Sequence, residues 1–535
     1  MSADDGRSSI RRWRNRYRGV DREQRARLEG IRRRMNEQAL GLAIEELGLN
    51  HEFVCLREVR VPVLLHVQEP DAKLLADWSR LIAYGIAARI AEGDDGVVRY
   101  PSRVAAMADF CACVARGDHR RAWAWRRFGL NVDGPSAAER VLHCLLEVDS
   151  LTLPALKHLA AAGTLAPVAA QLGPADWQAL VASAISGSEV PVLEAPPQGA
   201  AAQAWIAAPA SAAFKRLVRA MLARSLLAAP LTPLVAAALG REGEGGPALA
   251  RTLVALIALE TEPLVLWNGD YEACLAELAR ALTNLPPPAA PAPPAPAAAA
   301  PRQRTADDTP ATAAKAGDDA RAAPEPRAPK RPVLHESRRQ RPPDEPPRLA
   351  GLSDWVAPTA AVPPDAYVPR VDACTEWGGL LFLLKLIDEI DLPRRAAEDA
   401  ALAGLSRRWV MHALALRLVP VAPDDPAALA FCGLAPDRAP PDPCGEVDAA
   451  ARAWLDAAAA EVVQTLHAVL PTVRVRPEEL VTFVCRRRAR VVADPGWIEL
   501  HFELDRVEVE VRRAGLDLDP MYVPWIGAVV RFLYA

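Results

Sequence analysis

Aromatic residues are scarce in this 535-residue chain: Phe, Trp and Tyr make up 5% of it, although 51% is hydrophobic. The apolar mass is therefore Ala, Leu and Val, and Ala and Leu at this density favour helix. Lysine is scarce beside arginine. With 49 prolines, the Ala, Arg and Pro enrichment is that of a GC-rich bacterial coding sequence. Long apolar runs are missing. The most apolar stretch, Ser225 to Gly240, contains Pro230 and Pro233 and is too short to span a bilayer. No apolar leader is visible, because Asp4, Asp5 and then arginines stand where a signal peptide carries its apolar region. Nine cysteines, an odd number scattered along a long chain, fit free thiols better than a disulfide framework. These absences predict a soluble cytoplasmic protein without a membrane span.

Catalytic signatures are missing as well. There is no H-E-x-x-H, no G-x-S-x-G and no nucleophilic Ser or Cys in a recognisable setting. His51, Glu52, Cys55 and His66 lie close together, but with one Cys and no C-x-x-C they read as a polar strand start and not as a zinc site. Cys111 and Cys113 are two apart on an expected helix, so they do not face each other and read as small packing residues. Gly240 to Gly246 is glycine-rich but lacks the Lys-Ser/Thr of a phosphate loop. Asp517 and Asp519, before Pro520, lack the remaining ligands of a calcium loop. The expectation is a non-enzymatic chain with no catalytic residue, no metal ligand and no cofactor.

The net charge of −4 hides an asymmetry. Residues 1–50 form a basic N-terminal helical segment carrying Arg7, Arg11, Arg12, Arg14, Arg16, Arg18, Arg22, Arg25, Arg27, Arg32, Arg33 and Arg34. Trp13 and Tyr17 are interleaved with them. Guanidinium groups pair with phosphates and rings stack on bases, so one reading is a nucleic-acid-binding arm; the other is a solvated basic end or a dock for an acidic partner. Leu28, Ile31, Met35, Leu40, Leu42, Ile44 and Leu47 recur near helical spacing.

Residues 51–285 read as a mainly helical domain with a short β-hairpin. The hairpin is expected from Val54/Leu56 and the alternation Val59/Val61/Val63/Leu65. A helix from Pro70 to Ile90 follows, then an extended Val97 to Tyr100 before Pro101. Ser102 is an expected N-cap for a helix to Ala115, and His119 to Phe128 forms another. Short helices are then predicted at 136–148, 153–162, 174–186, 211–228, 231–239, 247–260 and 270–283, without a strict repeat. Residues 286–350 are Pro/Ala-rich and nearly devoid of large apolar side chains, which predicts a disordered linker. Two separable halves would follow.

Residues 351–535 read as an α+β domain, helices first and then an antiparallel sheet of three or four strands. Helices are expected at Leu380 to Ile390, 406–418 and 447–469. Val491 and Val492 open the strand set, with Asp494-Pro495-Gly496 as its first turn. Ile498, Leu500, Phe502 and Leu504 alternate with polar residues, as do Val507, Val509 and Val511. Period two predicts half-buried strands with one wet face and one dry. The final residues are expected as a paired strand, and Trp525 as a ring packed under the sheet against the Leu380 to Ile390 helix.

Three stretches carry a resemblance. The first is Val97-Val98-Arg99-Tyr100-Pro101-Ser102-Arg103 leading to Arg116-Gly117 and Arg121-Ala122-Trp123-Ala124-Trp125-Arg126-Arg127-Phe128. The second is Thr375-Glu376-Trp377-Gly378-Gly379-Leu380-Leu381-Phe382-Leu383-Leu384. The third is Arg513-Ala514-Gly515-Leu516-Asp517-Leu518-Asp519-Pro520 with Val523-Pro524-Trp525-Ile526-Gly527 and the closing Val530-Arg531-Phe532. In this order they resemble proteins encoded in the gene clusters of extracellular contractile injection systems, the phage-tail-like particles of bacteria, in their uncharacterised or tape-measure-like members. The chain lacks the long uninterrupted helix with which a ruler sets tube length at about 1.5 Å per residue. The resemblance therefore implies a structural, assembly or accessory component whose partners are other proteins of the particle or its assembly pathway. Trp123, Trp125, Trp377 and Trp525 are expected as core anchors.

Overall fold

The computed structural model describes residues 10, 12–45, 53–93, 95–130, 133–187, 211–240, 245–268, 271–284, 368–471, 473, 475–504, 509–517 and 521–534. His51, Glu52, Arg7, Arg11, Asp519 and the 286–350 linker lie outside them. The described residues are mainly helical, and none of their helices is long and apolar enough to cross a membrane.

The chain enters through helix Arg22–Arg34, whose N-cap Asp21 and Gln24 form a reciprocal capping box. A π-turn at Met35–Ala39 and the short helix Leu40–Glu45 continue it. Leu28, Ile31, Met35 and Leu40 pack on Leu74, Trp78 and Ile82 of helix Asp71–Glu92, a small core of their own. Strand β1, Phe53–Leu56, pairs antiparallel with β2, Val97–Tyr100. The expected hairpin partner, Val59 to Leu65, alternates in exposure but joins no ladder; Val61 lies against Gly85 of the Asp71–Glu92 helix instead.

Helices Arg103–Ala115, Ala137–Leu145, Asp149–Ala161, Pro174–Gly187, Ala212–Arg224, Ala228–Leu239, Gly245–Thr261 and Tyr271–Thr283 then build the larger helical core. Ser102, Ser136 and Ser211 each accept a hydrogen bond from the third backbone N–H beyond them, which sets where three of these helices begin. The expected 153–162 helix starts earlier, at Asp149, and carries Pro154 inside it. A short helix at Leu165–Ala169 was not anticipated.

The C-terminal part is α+β, as its sequence predicts, but its sheet is mixed. Five strands run β3-β4-β5-β7-β6: Val371–Thr375, Ala489–Asp494, Trp497–Phe502, Ala528–Tyr534 and Met521–Val523 in that spatial order. β5 and β7 are parallel, and the other neighbours are antiparallel. β3 precedes the helices, so the sheet is not purely a C-terminal addition. Val509 and Val511 are not in a strand: Val509–Arg513 is one short helix, and Val507 lies outside the described residues. Nor is β5 half wet, since Glu499 is as buried as Leu500. Period two is correct there, but both faces are covered. The closing strand β7 lies between β5 and β6.

Glycines in the second resembling stretch allow a close approach. A Cβ on Gly379 would stand 2.2 Å from the carbonyl oxygen of Val484, so the 3₁₀ turn Gly378–Phe382 can lie against the end of helix Pro477–Cys485 only without a side chain. Thr375 fastens the same corner. Its hydroxyl donates to Asp425 and accepts from the Trp377 N–H, while Asp425 caps helix Pro426–Phe431.

The helical and α+β parts share one compact unit. Trp497 and Val529 insert into the helical core, and Leu264 joins the core of the α+β part. A buried polar seam fixes the arrangement. Glu262 is wholly buried at its side chain and pairs with Arg224 at 2.7 Å. It also accepts from the Ser406 hydroxyl and the Arg407 and Arg408 N–H groups, which are the first turn of helix Arg407–Leu418. A carboxylate at a helix N-terminus meets both unsatisfied donors and the positive dipole end. Two residues earlier, Glu260 does the same for helix Ala228–Leu239, accepting from Ser225, Leu226 N and Leu227 N.

Arg408 returns the contact. Its guanidinium donates to the carbonyls of Thr261, Cys432, Glu260 and Ile526. Lys157 donates to the Gly527 carbonyl at 3.2 Å. Burial, and then the Arg408 charge, push the Lys157 ammonium down to about 8.

This seam corrects the expectation of two independent halves. With a specific protease site inserted between residues 286 and 350 and cut, the two fragments should co-elute on size exclusion and melt as one transition. Arg408→Ala removes one partner of a buried ionic network, which costs about 3–5 kcal/mol, and the cut fragments of that variant should elute apart. Wild-type fragments that separate on cleavage would overturn the seam as the joint.

Candidate functional site

The sheet of the α+β part gathers charged and polar side chains on one face. Counting across strands in register, three rows stack there. Cys374, Arg490, His501 and Leu533 form one row; Asp372, Val492, Glu499 and Arg531 the next. Asp494 and Trp497 pair in the third, beside Val529, with Arg370 just ahead of β3. The opposite face, Val491, Ala493, Ile498, Leu500, Val530 and Phe532, is dry core. Strand alternation therefore separates charge from core, as the pleat requires, even where both sides are buried.

Two carboxyl groups in these rows have been driven apart. Asp494 and Glu499 have fully buried side chains, and both meet Arg370: Nε to Asp494 at 3.1 Å, Nη1 to Glu499 at 2.9 Å. Glu499 also accepts from the Trp497 indole at 2.9 Å and faces His501 Nε2 at 3.3 Å. Burial works against its charge, yet the contacts with His501, Arg370 and Trp497 outweigh burial and hold it down to about 2. Asp494 has fewer partners. Burial first, and then the Glu499 charge, raise it to about 7 despite Arg370. Its second oxygen Oδ1 and the Arg370 Nη2 are buried without a hydrogen bond. The guanidinium loses by desolvation but gains more from its two carboxylates, so its own pKa is raised.

Divergent carboxyl groups are what acid–base chemistry uses, but here the pair is closed to solvent. It can hold or release one proton near neutrality, and it sits at the β4–β5 turn, beside the helical part. Gly496 in that turn has φ +81°, and a Cβ on it would lie 2.7 Å from Pro154 Cα. The exposed end of the face is a surface of Asp372, Cys374 and Arg490, with Arg490 3.7 Å from Asp372.

The residues singled out from sequence fall elsewhere. Cys55 is in β1, and burial raises its thiol to about 11; His66 begins a turn. Cys111 and Cys113 are core residues. Asp517 accepts from the Tyr534 hydroxyl at 2.7 Å. Among the described residues no group of three His, Cys, Asp or Glu is arranged to hold a metal. Trp125 and Trp525 are buried anchors, while Trp123 and Trp377 are only half-buried. Trp525 shares a core with Leu380 to Ile387, and the ring it meets edge-on is Phe431, 6.3 Å away.

Sequence reasoning missed Asp109. It is fully buried and accepts from Tyr100 at 2.6 Å, Arg121 at 2.7 Å and the Trp125 indole at 3.2 Å. The signal was a lone acid within the otherwise apolar run of helix Arg103–Ala115. The first resembling stretch supplies all three of its partners.

The divergent pair has a pH signature. Unfolded, Asp494 titrates near 4; folded, it keeps its proton to about 7. The folded state binds the extra proton between those values, so Asp494 makes stability fall as pH rises from about 4 to about 7. Glu499, with its pKa depressed, contributes stability above about 4 that is lost as pH falls toward 2. Asp494→Asn should flatten the decline toward neutral pH and leave the acid limb intact, read as melting temperature against pH. Equal slopes toward neutrality in both proteins would sink the assignment. In comparisons with known proteins, no family model, no curated protein and no solved structure matches this chain.

Proposed function

We propose that this chain is a non-enzymatic structural or assembly component of a bacterial contractile injection particle, acting in the cytoplasm through protein–protein contacts. The sequence stretches that resemble such proteins carry the reading, and one observation supports it. Each stretch occupies a structural junction. Val97 to Phe128 surrounds Asp109. Thr375 to Phe382 makes the Thr375–Asp425 corner. Val523 to Gly527 lies along the seam, where the Ile526 and Gly527 carbonyls accept from Arg408 and Lys157. Residues that share such positions define a common scaffold, and a scaffold that spends its buried charge on internal capping is suited to presenting surfaces.

The test is genetic and biochemical. Deleting the gene from a host that carries such a cluster should reduce intact particles seen by electron microscopy, and a tagged chain should co-purify with tube, sheath or baseplate proteins. Particles of normal number, length and contraction in the deletion strain would overturn the proposal.

A further inference from the structure

The N-terminal arginines divide into two sets. One set is consumed internally. Arg27 bonds Asp71 Oδ1 at 2.7 Å and the carbonyls of Val67 and Glu69; Arg34 bonds Asp71 Oδ2 at 2.6 Å; Arg32 pairs with Glu29. The other set faces water. From residue 12 to 18 exposure alternates with period two. Arg12, Arg14, Arg16 and Arg18 are exposed, and Trp13, Asn15 and Tyr17 are turned in. Trp13 and Tyr17 pack against the small core of Leu28, Ile31 and Trp78.

Hydrogen bonds lock that inward row. The Trp13 indole donates to Asn15 at 2.6 Å, Asn15 donates to the Tyr17 hydroxyl at 2.8 Å, and Tyr17 donates to Glu29 at 2.8 Å. Burial, followed by the bond to Glu29, raises the Tyr17 phenol to about 12. The segment therefore holds its shape through one edge and presents a line of guanidinium groups on the other. Arg22, Arg25 and Arg33 on the adjoining helix are exposed too. Among the described residues no acidic side chain pairs with Arg12, Arg14, Arg16, Arg18, Arg22 or Arg33.

We propose that this arginine line binds the phosphate backbone of duplex nucleic acid without reading its sequence. The inward rings decide the form of the ligand. Single-strand binders add aromatic platforms on which bases stack, and here both rings are occupied. A duplex already stacks its own bases and offers a dense row of phosphates, which guanidinium forks match. This inference stands independently of the assembly role.

The experiment uses the full chain, a labelled mixed-sequence DNA duplex, and anisotropy between about 50 and 200 mM salt, the range over which phosphate contacts weaken steeply. Wild type should bind at the low end. Its log–log salt slope should shrink by about 0.9 for each arginine removed, or about 3–4 in the variant with Arg12, Arg14, Arg16 and Arg18 all changed to Gln. The Lys counterparts should keep most of the slope, and because these side chains are exposed, melting temperatures should not change. Scrambling the duplex sequence should leave affinity unchanged. No binding at low salt, an unchanged slope in the Gln variant, or preference for the single strand each overturns the proposal. Tight binding to polyglutamate with none to duplex overturns it as well, and would make the line a dock for an acidic protein.

Discussion

The joint between the helical and α+β parts depends on how Glu262 and Arg408 are satisfied. Glu262 follows directly on helix Gly245–Thr261 and is buried without access to water. A carboxylate in that position is tolerable only with several donors, and the chain brings them from about 145 residues away in sequence, at the first turn of helix Arg407–Leu418. Arg408, in turn, finds carbonyls at the ends of two helices and at Ile526. Neither residue can be left buried without the other segment. Helix Gly245–Thr261 and helix Arg407–Leu418 are therefore set against each other by charge, and the apolar contacts of Leu264, Trp497 and Val529 form around that registration.

The same device recurs. Asp109 gathers a phenol, an indole and a guanidinium. Glu499 gathers a guanidinium, an indole and an imidazole. Each is one buried acid collecting several donors, and for Glu499 the Arg370 guanidinium comes from ahead of another strand. The composition explains why such nodes matter here. A core made of Ala, Leu and Val has few large shapes to interlock, and helices with smooth apolar faces can slide or rotate at small cost. A buried acid has only one arrangement in which its donors reach it, and satisfied polar networks rigidify a core for that reason. The nodes supply the directionality that aromatic packing supplies elsewhere.

Much of this was legible in advance, and the limits have physical causes. Helices such as Pro174–Gly187 and Tyr271–Thr283 were read within a residue or so, because apolar period and Ser or Pro punctuation agree locally. The Asp494 to Gly496 turn was equally plain. The region near Val509 was misread because five residues of alternating charge and valine fit a short helix as well as a strand, and pairing decides. The wet face assigned to β5 failed for a related reason: alternation reports polarity, and Glu499 is polar but paired with Arg370. The seam itself could not be read, since nothing local in Glu260-Thr261-Glu262 points to Ser406. Asp109 was readable in principle, as a single acid in an apolar helix must find partners.

Arginine's dominance over lysine, first met as a compositional bias, acquires a structural meaning in these nodes. Arg408 reaches four carbonyls in three segments because a guanidinium carries five donors in a rigid fork. Lys157, buried in the same seam, reaches one, and burial lowers its pKa to about 8; burial lowers Arg408 too, but a guanidinium starts from a higher ordinary value. A chain that positions its segments with buried cations needs the residue that stays charged and bonds in several directions at once. The N-terminal segment uses the same property on both sides of one line of sequence. Arg27 clips Asp71 and two carbonyls to fix its helix to the start of helix Asp71–Glu92, and Arg12 to Arg18 repeat the fork outward. What distinguishes the two sets is whether an acid of the chain faces them, and that is decided by the inward turn of Trp13, Asn15 and Tyr17.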